Sequence, residues 1–362
     1  MKKTLLVTAI AGALGASAAQ AATVYNQDGT QLDIYGNLQT AYKSVNNAEG
    51  NSEDEIFDNG STFGVKGQHV INPGLTGYFK AEWEFNADEA KGSDQQDGIS
   101  RSDQVYMGLQ GNFGDARVGS WDTLIDDWVQ DPVTNNEFFD VTDSPVSGDD
   151  GVNTQNTDTD REGDKIQYMS PVFGGLQFAV GAQYKGDAEA ENVDSDGNAA
   201  FFGGAKYTMG AFSVAGVYDS LDNYDGEITG DIYDTGPEAG EDFDAGDQYG
   251  ITAEYTMEQL QVALKYERYE SGDDDYLPDE NRFGLGSRYG YGYGDVYAAY
   301  QYVDLSGGDA WEAVNDDDSR NEIVLGATYN ISPAMYTFIE GAWYDREEDE
   351  NDGIAVGAVY SF

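Results

Sequence analysis

Carboxylates dominate the side chains of this protein that could do chemistry. Residues 122–162 carry Asp126, Asp127, Asp131, Glu137 and Asp140, with Phe138 inside the run Asn136-Glu137-Phe138-Phe139-Asp140. Elsewhere Lys66, Lys80, Glu82, Arg101, Asp103, Arg161 and Lys165 occupy polar positions of alternating segments. Catalysis fits this inventory poorly. The one histidine, His69, has no nucleophile or orienting acid near it in sequence, and there is no cysteine. The nucleophile–base pairing of an active site is therefore missing, and thiol or cysteine–zinc chemistry is excluded. No enzyme, cofactor or metal centre is expected. Acids and bases arranged around water do a different job: they sort ions by sign.

Three acidic runs bear on divalent cations: Asp194-Ser195-Asp196-Gly197-Asn198, Asp273-Asp274-Asp275 and Asp316-Asp317-Asp318. Hard cations favour such oxygens, but none of the runs has the ligand offsets of an EF-hand. Solvated loop tips are the leading reading, with diffuse divalent binding second. Overall the chain holds 68 acidic and 18 basic residues, a net charge of −50. Repulsion on that scale is tolerable where salt screens it, which points to an exported protein of a saline habitat. Nucleic acid, which binds basic surfaces, is not an expected partner.

The elements that position these groups are strands. Leu32, Ile34, Leu38 and Tyr42 alternate with Asp33, Asn37, Gln39 and Lys43. Residues 61–71, 79–85 and 176–185 repeat the period of two, which marks a sheet with one apolar and one wet face. Further strands are predicted near 100–112, 115–122, 163–170, 199–208, 211–220, 246–256, 259–270, 281–290, 294–304, 319–330, 334–345 and 352–362. That makes sixteen.

Short turns, such as Asn72-Pro73-Gly74, alternate with long polar connections at 44–60, 88–99, 122–162, 187–198, 221–245, 271–280, 305–318 and 346–351. All long loops then emerge on one side, as in outer-membrane barrels. Tyrosines recur at the ends of apolar faces (Tyr184, Tyr207, Tyr218, Tyr255, Tyr266, Tyr289, Tyr302, Tyr329 and Tyr360, with Phe362 at the terminus), the composition of an interfacial girdle. The fold class is therefore all-β, a 16-stranded antiparallel transmembrane barrel of one domain over residues 22–362. Parity also places Val105, Met107 and Leu109 on the lumen face, an apolar patch that something should cover. The rival is a secreted or surface-exposed acidic β-sheet adhesin, which has no reason to keep its short turns on one side.

Lys2 and Lys3 followed by an apolar run from Leu5 to Ala19 and an Ala19-Gln20-Ala21 site read as a signal peptide, residues 1–21. A connection as long as 122–162 is out of character for a compact domain unless it is functional. In a wide barrel it has one place to go: inward, to narrow the hole.

The sequence resembles the general diffusion porins of Gram-negative bacteria over nearly all of its length. The resemblance rests on VYNQDGTQLDIYGN (24–37), NPGLTGYFKAEWEF (72–85), GGLQFAVGAQY (174–184) and AVGAVYSF (355–362). It implies a homotrimer in outer-membrane lipid and lipopolysaccharide, passing small hydrophilic solutes and ions. It also implies a third external loop folded into the pore, and a terminal aromatic, Phe362, read by the barrel-assembly machinery. Glu137, Phe138 and Asp140 match the family's acidic loop motif, whose proline and glycines are absent here. The resemblance places Arg161 on the opposing basic ladder. Asp103 replaces a second basic position, with Arg101 near it; Thr62 and Asn37 replace two more. Acids would thus exceed bases at the constriction, and cations would be favoured. Glu137 is expected to face Arg161 across its narrowest point.

Overall fold

The computed structural model describes residues 21–88, 99–129, 137–139, 141–142, 163–184, 193–195, 197, 199–229, 239–272, 278–308 and 318–362. For residues 99–102, 193 and 195 only the backbone is described. Residues 1–20 of the expected leader 1–21 lie outside them, as do Asp131, Asp140, Arg161, Asp196, Asn198, the run Asp273-Asp274-Asp275, and Asp316 and Asp317.

The first half of the barrel comprises β1 (Ala22–Gln27), β2 (Thr30–Asn46), β3 (Ser52–Asp58), β4 (Thr62–Asn72), β5 (Leu75–Phe85), β6 (Ile99–Gly111), β7 (Gly114–Ser120), β8 (Lys165–Met169) and β9 (Leu176–Tyr184). After a short β10 (Val193–Ser195) come β11 (Ala199–Met209), β12 (Phe212–Ser220), and the short β13 (Gly226–Ile228) and β14 (Asp242–Phe243). The chain finishes with β15 (Asp247–Met257), β16 (Leu260–Glu270), β17 (Asp279–Gly290), β18 (Asp295–Ser306), β19 (Ser319–Ser332), β20 (Met335–Trp343) and β21 (Gly353–Ser361). Eighteen segments share one antiparallel sheet, and β10, β13 and β14 form a separate small one.

Two of the eighteen positions are shared. β4 pairs with residues 30–37 of β2 and β3 with residues 40–46, so β3 and β4 are one wall strand interrupted at 59–61. On the other edge of β2, β1 pairs with residues 30–34 and β21 with residues 37–45. Sixteen wall positions result, and the ring closes through β2. The last residue takes part: Gly36 N–H donates to the Phe362 carbonyl at 3.1 Å and Phe362 N–H to the Gly36 carbonyl at 3.0 Å. Gly36 has no room for a side chain there, because a Cβ would meet the Phe362 ring and the Thr62 carbonyl.

Closure decides which face meets which solvent. Leu38, Tyr42, Phe79, Val180, Leu264, Leu285, Leu325, Ile339 and Val356 point out of the barrel and are exposed. Their neighbours in sequence point in. Exposed aromatics gather in two belts. Tyr207, Phe212, Tyr255, Tyr289, Tyr329 and Tyr360 lie toward the short turns, and Tyr42, Tyr184, Phe201, Tyr218, Tyr300 and Trp343 toward the long loops. Apolar bands between aromatic girdles are the outer surface of a membrane barrel.

The structure departs from expectation in three places. The connection 44–60 is not a long loop, because β2 runs on to Asn46 and β3 starts at Ser52. The small β10–β13–β14 sheet was not anticipated; its strands are two or three residues long, too short to show a period. Most consequentially, Val105, Met107 and Leu109 face outward. Trp83 pairs with Ser102 but Ala81 with Val105, so Asp103 and Gln104 together oppose Glu82. This β-bulge adds one residue and reverses the parity beyond it. Arg101, opposite Glu84, and Val105, opposite Ala81, therefore belong to opposite faces.

Val105 lies near the middle of β6, so Val105→Arg should destabilise refolding into lipid vesicles by about 2–4 kcal/mol, the cost of arginine on a barrel's lipid face. A change near zero in a urea titration would return this position to the lumen.

Candidate functional site

The inner wall is wet on one arc and covered on the other. Residues 121–129, 137–139 and 141–142 account for the cover. Thr123 caps helix α1 (Leu124–Trp128): its hydroxyl accepts from the Asp126 N–H at 3.3 Å and donates to the Asp126 carboxylate. The Asp126 carboxylate is thus bonded to its own helix cap. Leu124, Ile125, Trp128 and Val129 pack on Ala179, Phe202, Ala215 and Val217, inward residues of β9, β11 and β12. Gly204 and Gly250 make the approach possible, since a Cβ at either would press on Trp128 or Val129. The Thr252 hydroxyl then holds the Val129 carbonyl.

The loop's second landing is on the far arc. Phe139 and Val141 are buried among Ala41, Ala299, Val324, Phe338, Ala342, Ala355 and Val359, with Phe138 packed beside them. Each wall residue alternates with an exposed outward neighbour, so this is the inner face. The Phe138 ring lies 4.9 Å from Phe57 and 4.7 Å from Phe139, with the Lys43 ammonium over both Phe57 and Phe138. An apolar inner patch needing a cover does exist, on β2 and β18–β21 rather than on β6.

One carboxylate anchors this landing. Glu340 accepts the backbone N–H groups of Glu137 (2.9 Å), Phe138 (2.9 Å) and Phe139 (2.8 Å), and the Tyr297 hydroxyl at 2.6 Å. Four donors on one buried carboxylate is the arrangement that makes burying a charge tolerable. Three backbone donors would otherwise be left unpaired. On returning, the chain is caught again, as Lys265 donates to the Thr142 carbonyl at 2.6 Å.

Glu137 itself is held at the wall, and Arg161, the residue expected opposite it, lies outside the described residues. The Glu137 carboxylate accepts from the Tyr336 hydroxyl at 2.9 Å. Burial pushes its pKa up to about 7, against the Tyr336 hydrogen bond and the positive charge of Arg288, with Glu340 and Asp295 raising it further. Lys165 is likewise corrected. It is buried at the root of the loop, where its ammonium holds the Trp121 carbonyl and lies 5.1 Å from the Trp121 ring.

The remaining expected groups gather on the arc formed by β2 and β4–β7. Antiparallel register sets Asp33, Lys66, Lys80 and Tyr106 in one row across four strands. Lys80 donates to Glu82 and to Gln104, both at 2.8 Å. Gln104 passes the chain on to Asp122 at 2.8 Å, and Asp103 sits against Glu82. Asp127 is exposed and lies 3.9 Å from Arg117, whose guanidinium stacks over Trp121. Although water reaches its carboxylate, Asp127 lies deep within the barrel, and the desolvation there, then the nearby Asp122 charge, push it up to about 6. Sequence reasoning missed Arg117, Tyr336 and Glu340. Arg117 was findable, because it shares a face with Asp115 and Gly119 and alternates with the outward Val118. Glu340 was not, because its partners are backbone groups about 200 residues away.

A sixteen-stranded barrel, apolar outside and polar within, with a loop laid along its inner wall, is an outer-membrane channel. A profile described as Gram-negative porin matches residues 7–349, and the chain belongs to that family, whose members are passive channels and not enzymes. It is 53% identical over 382 residues to a "Monosaccharide porin" of Halomonas sp and to a "Major outer membrane protein" of Halomonas elongata, covering 100% of each chain. It is 26% identical to the outer membrane porin PhoE of Escherichia coli, again over 100% of both chains. Among solved structures, Salmonella typhi OmpF superposes with a TM-score of 0.71 at 20% identity, covering 94% of this chain and 100% of that one. An anion-selective porin from Comamonas acidovorans gives 0.66 at 18%, covering 92% and 100%. These likenesses show the fold, and a single closed barrel rules out the packed sheets of an adhesin sandwich.

Glu340→Gln should weaken the second landing by about 1.5–3 kcal/mol, the usual worth of a hydrogen bond to a charged group. Amide exchange at residues 137–139 is the readout, and unchanged protection there would show that Glu340 is not the anchor. The docked Glu137 holds its proton more tightly than a free glutamate, so the unfolded or undocked chain binds fewer protons between the two pKa values. Docking then strengthens as pH falls from about 7 into the ordinary carboxylate range, and weakens as pH rises.

Proposed function

We propose that this outer-membrane porin is a water-filled diffusion channel for ions and small hydrophilic solutes, monosaccharides included, that it prefers cations, and that residues 122–162 set its narrowest section. The observation that carries the proposal is the docking of residues 123–129, 137–139 and 141–142 against the inner wall, which brings this segment inside the bore. Passage of sugars is supported by the relative named as a monosaccharide porin.

Cation preference is read from side chains, since the same fold serves an anion-selective neighbour. Bases on the inner face are matched by acids: Lys43–Glu55 at 3.2 Å, Lys80–Glu82 at 2.8 Å, Arg117–Asp127 at 3.9 Å and Arg288–Asp295 at 3.5 Å. With 68 acidic against 18 basic residues, the unmatched charge is negative. Charge in a low-dielectric mouth is felt by every passing ion.

The remaining parts of the reading follow the family: export on a leader over residues 1–21, recognition of Phe362 during assembly, and a homotrimer in lipid and lipopolysaccharide. Acidic loops tolerate a saline medium, where the Debye length is about 3 Å at 1 M.

Reversal potentials across planar bilayers under a KCl gradient test the proposal. At low salt and pH 8 they should show cation preference. The preference should fall as Glu137 and Asp127 gain protons near pH 7 and pH 6, and Glu137→Gln should remove the upper step. Anion preference at low salt and pH 8 would overturn it.

A further inference from the structure

On the wet arc, directly across neighbouring strands, the wall holds a cavity of about 340 Å³ lined by Gln31, Asp33, Lys66, Gln68, Tyr78, Lys80, Tyr106 and Gln110 together with Gly67 and Phe79. That volume falls at the lower end of small-molecule sites, roughly 300–1,000 Å³. We propose that it is a saccharide subsite, where a neutral hexose pauses against Gln68, Gln110, Tyr78 and Tyr106 on its way through the channel. The inference rests on the reading of the protein as a channel that passes sugars, and adds to it a place and a recognition chemistry.

Charge is the first reason for choosing a neutral ligand. The cavity's ions are already matched to one another. Asp33 accepts from Thr23 at 2.7 Å and from Gln31 at 2.8 Å and 3.0 Å, and Lys66 stands opposite it in register. Lys80 is paired with Glu82 at 2.8 Å. Asp33 and Glu82 balance Lys66 and Lys80, so this patch is neutral in a protein whose net charge is −50. An anion would have to compete with Glu82 for Lys80 and with the nearby Asp33 charge for Lys66, and a cation has richer acidic sites elsewhere.

Chemistry is the second reason. Gln68 and Gln110 are exposed amides on the inner face, and each offers a donor and an acceptor side by side, the pattern that adjacent sugar hydroxyls complement. Tyr78 and Tyr106 stand edge to face, their ring centroids 6.2 Å apart. They give the C–H surface of a pyranose something apolar to rest on, with polar rims at hand. Tyr78 is held by its hydroxyl, which donates to Asp115 at 2.7 Å, and Tyr106 by the Trp121 ring at 5.8 Å. Both rings are therefore held before anything arrives, which keeps the entropy cost of stacking on them low. It is also open to the channel, which suits a solute that has to leave again.

The test uses the full-length assembled porin in planar bilayers and in liposomes, with glucose as the probe. Wild type should show a glucose-dependent reduction of ion current that saturates. Gln68→Ala and Tyr106→Ala should each raise the half-saturating concentration at least fivefold, and Gln68→Ala should leave ion conductance without sugar close to wild type. Gln110→Ala guards against misfolding of the tyrosine variant, and should move the same number in the same direction. Swelling of glucose-containing liposomes reads passage alone. If glucose passes but current falls linearly with concentration, or if all three variants block like wild type, the subsite is refuted and the channel reading stands. If glucose does not pass at all, the channel reading itself fails as it concerns sugars.

Discussion

Within a bilayer, no backbone N–H or C=O can be left for water to satisfy, and this constraint organises the whole molecule. It forces the sheet to close, and β2 is where the closure is made, with four segments and the terminal Phe362 bonded along its two edges. Once the ring is closed, each strand has only an outside and an inside. Period-two alternation then becomes a division between lipid and water, and every side chain that matters to function lies on the inner set. A single inserted residue is enough to exchange the two sets, as the bulge at Asp103 and Gln104 does in β6.

The loop obeys the same constraint in reverse. A segment laid inside the barrel brings backbone donors and acceptors to a wall already saturated by its own ladder, so side chains must satisfy them. Glu340 accepts the N–H groups of residues 137–139, Thr252 and Lys265 donate to the Val129 and Thr142 carbonyls, and the apolar contacts of Leu124, Trp128, Phe138 and Phe139 supply the burial between. The inner wall is correspondingly mixed. Alanines and valines lie where the loop rests, and charges lie where water flows. Under the covered arc the charges are compensated locally, as in the buried pair Lys265–Glu267 at 2.8 Å and in Arg320–Glu322 at 2.6 Å. External loops extend the pattern. Leu221, Tyr224, Ile228 and Phe243 fold inward onto Tyr269, Val303 and Leu305.

Sixteen strands and their facing were legible because alternation is a local signal, repeated every two residues and checked by turns such as Asn72-Pro73-Gly74. The loop's inward course was legible from length and from the wide bore it had to enter. What could not be read were matters of long-range pairing. Nothing in 99–111 announces that Asp103 and Gln104 share one partner, and so Val105, Met107 and Leu109 were assigned to the wrong face. The acids of the loop are legible as important, but their partners are not: Asp126 accepts from the hydroxyl of Thr123, the helix cap, and Glu137 from the Tyr336 hydroxyl on a distant strand. Lys165 was placed on the correct strand face, yet the loop root covers it.

The central claim is that the tip of the 122–162 segment rests on the inner wall beside β3. Since the chain has no cysteine, it can be tested cleanly with the double substitution Phe57→Cys and Phe138→Cys, at positions whose rings are 4.9 Å apart. Mild oxidation of the assembled protein in membranes should cross-link the pair, shown by altered mobility of the denatured chain that reductant reverses, with ion conductance retained. Failure to cross-link in well-assembled protein, with both thiols freely labelled from solution, would contradict the account.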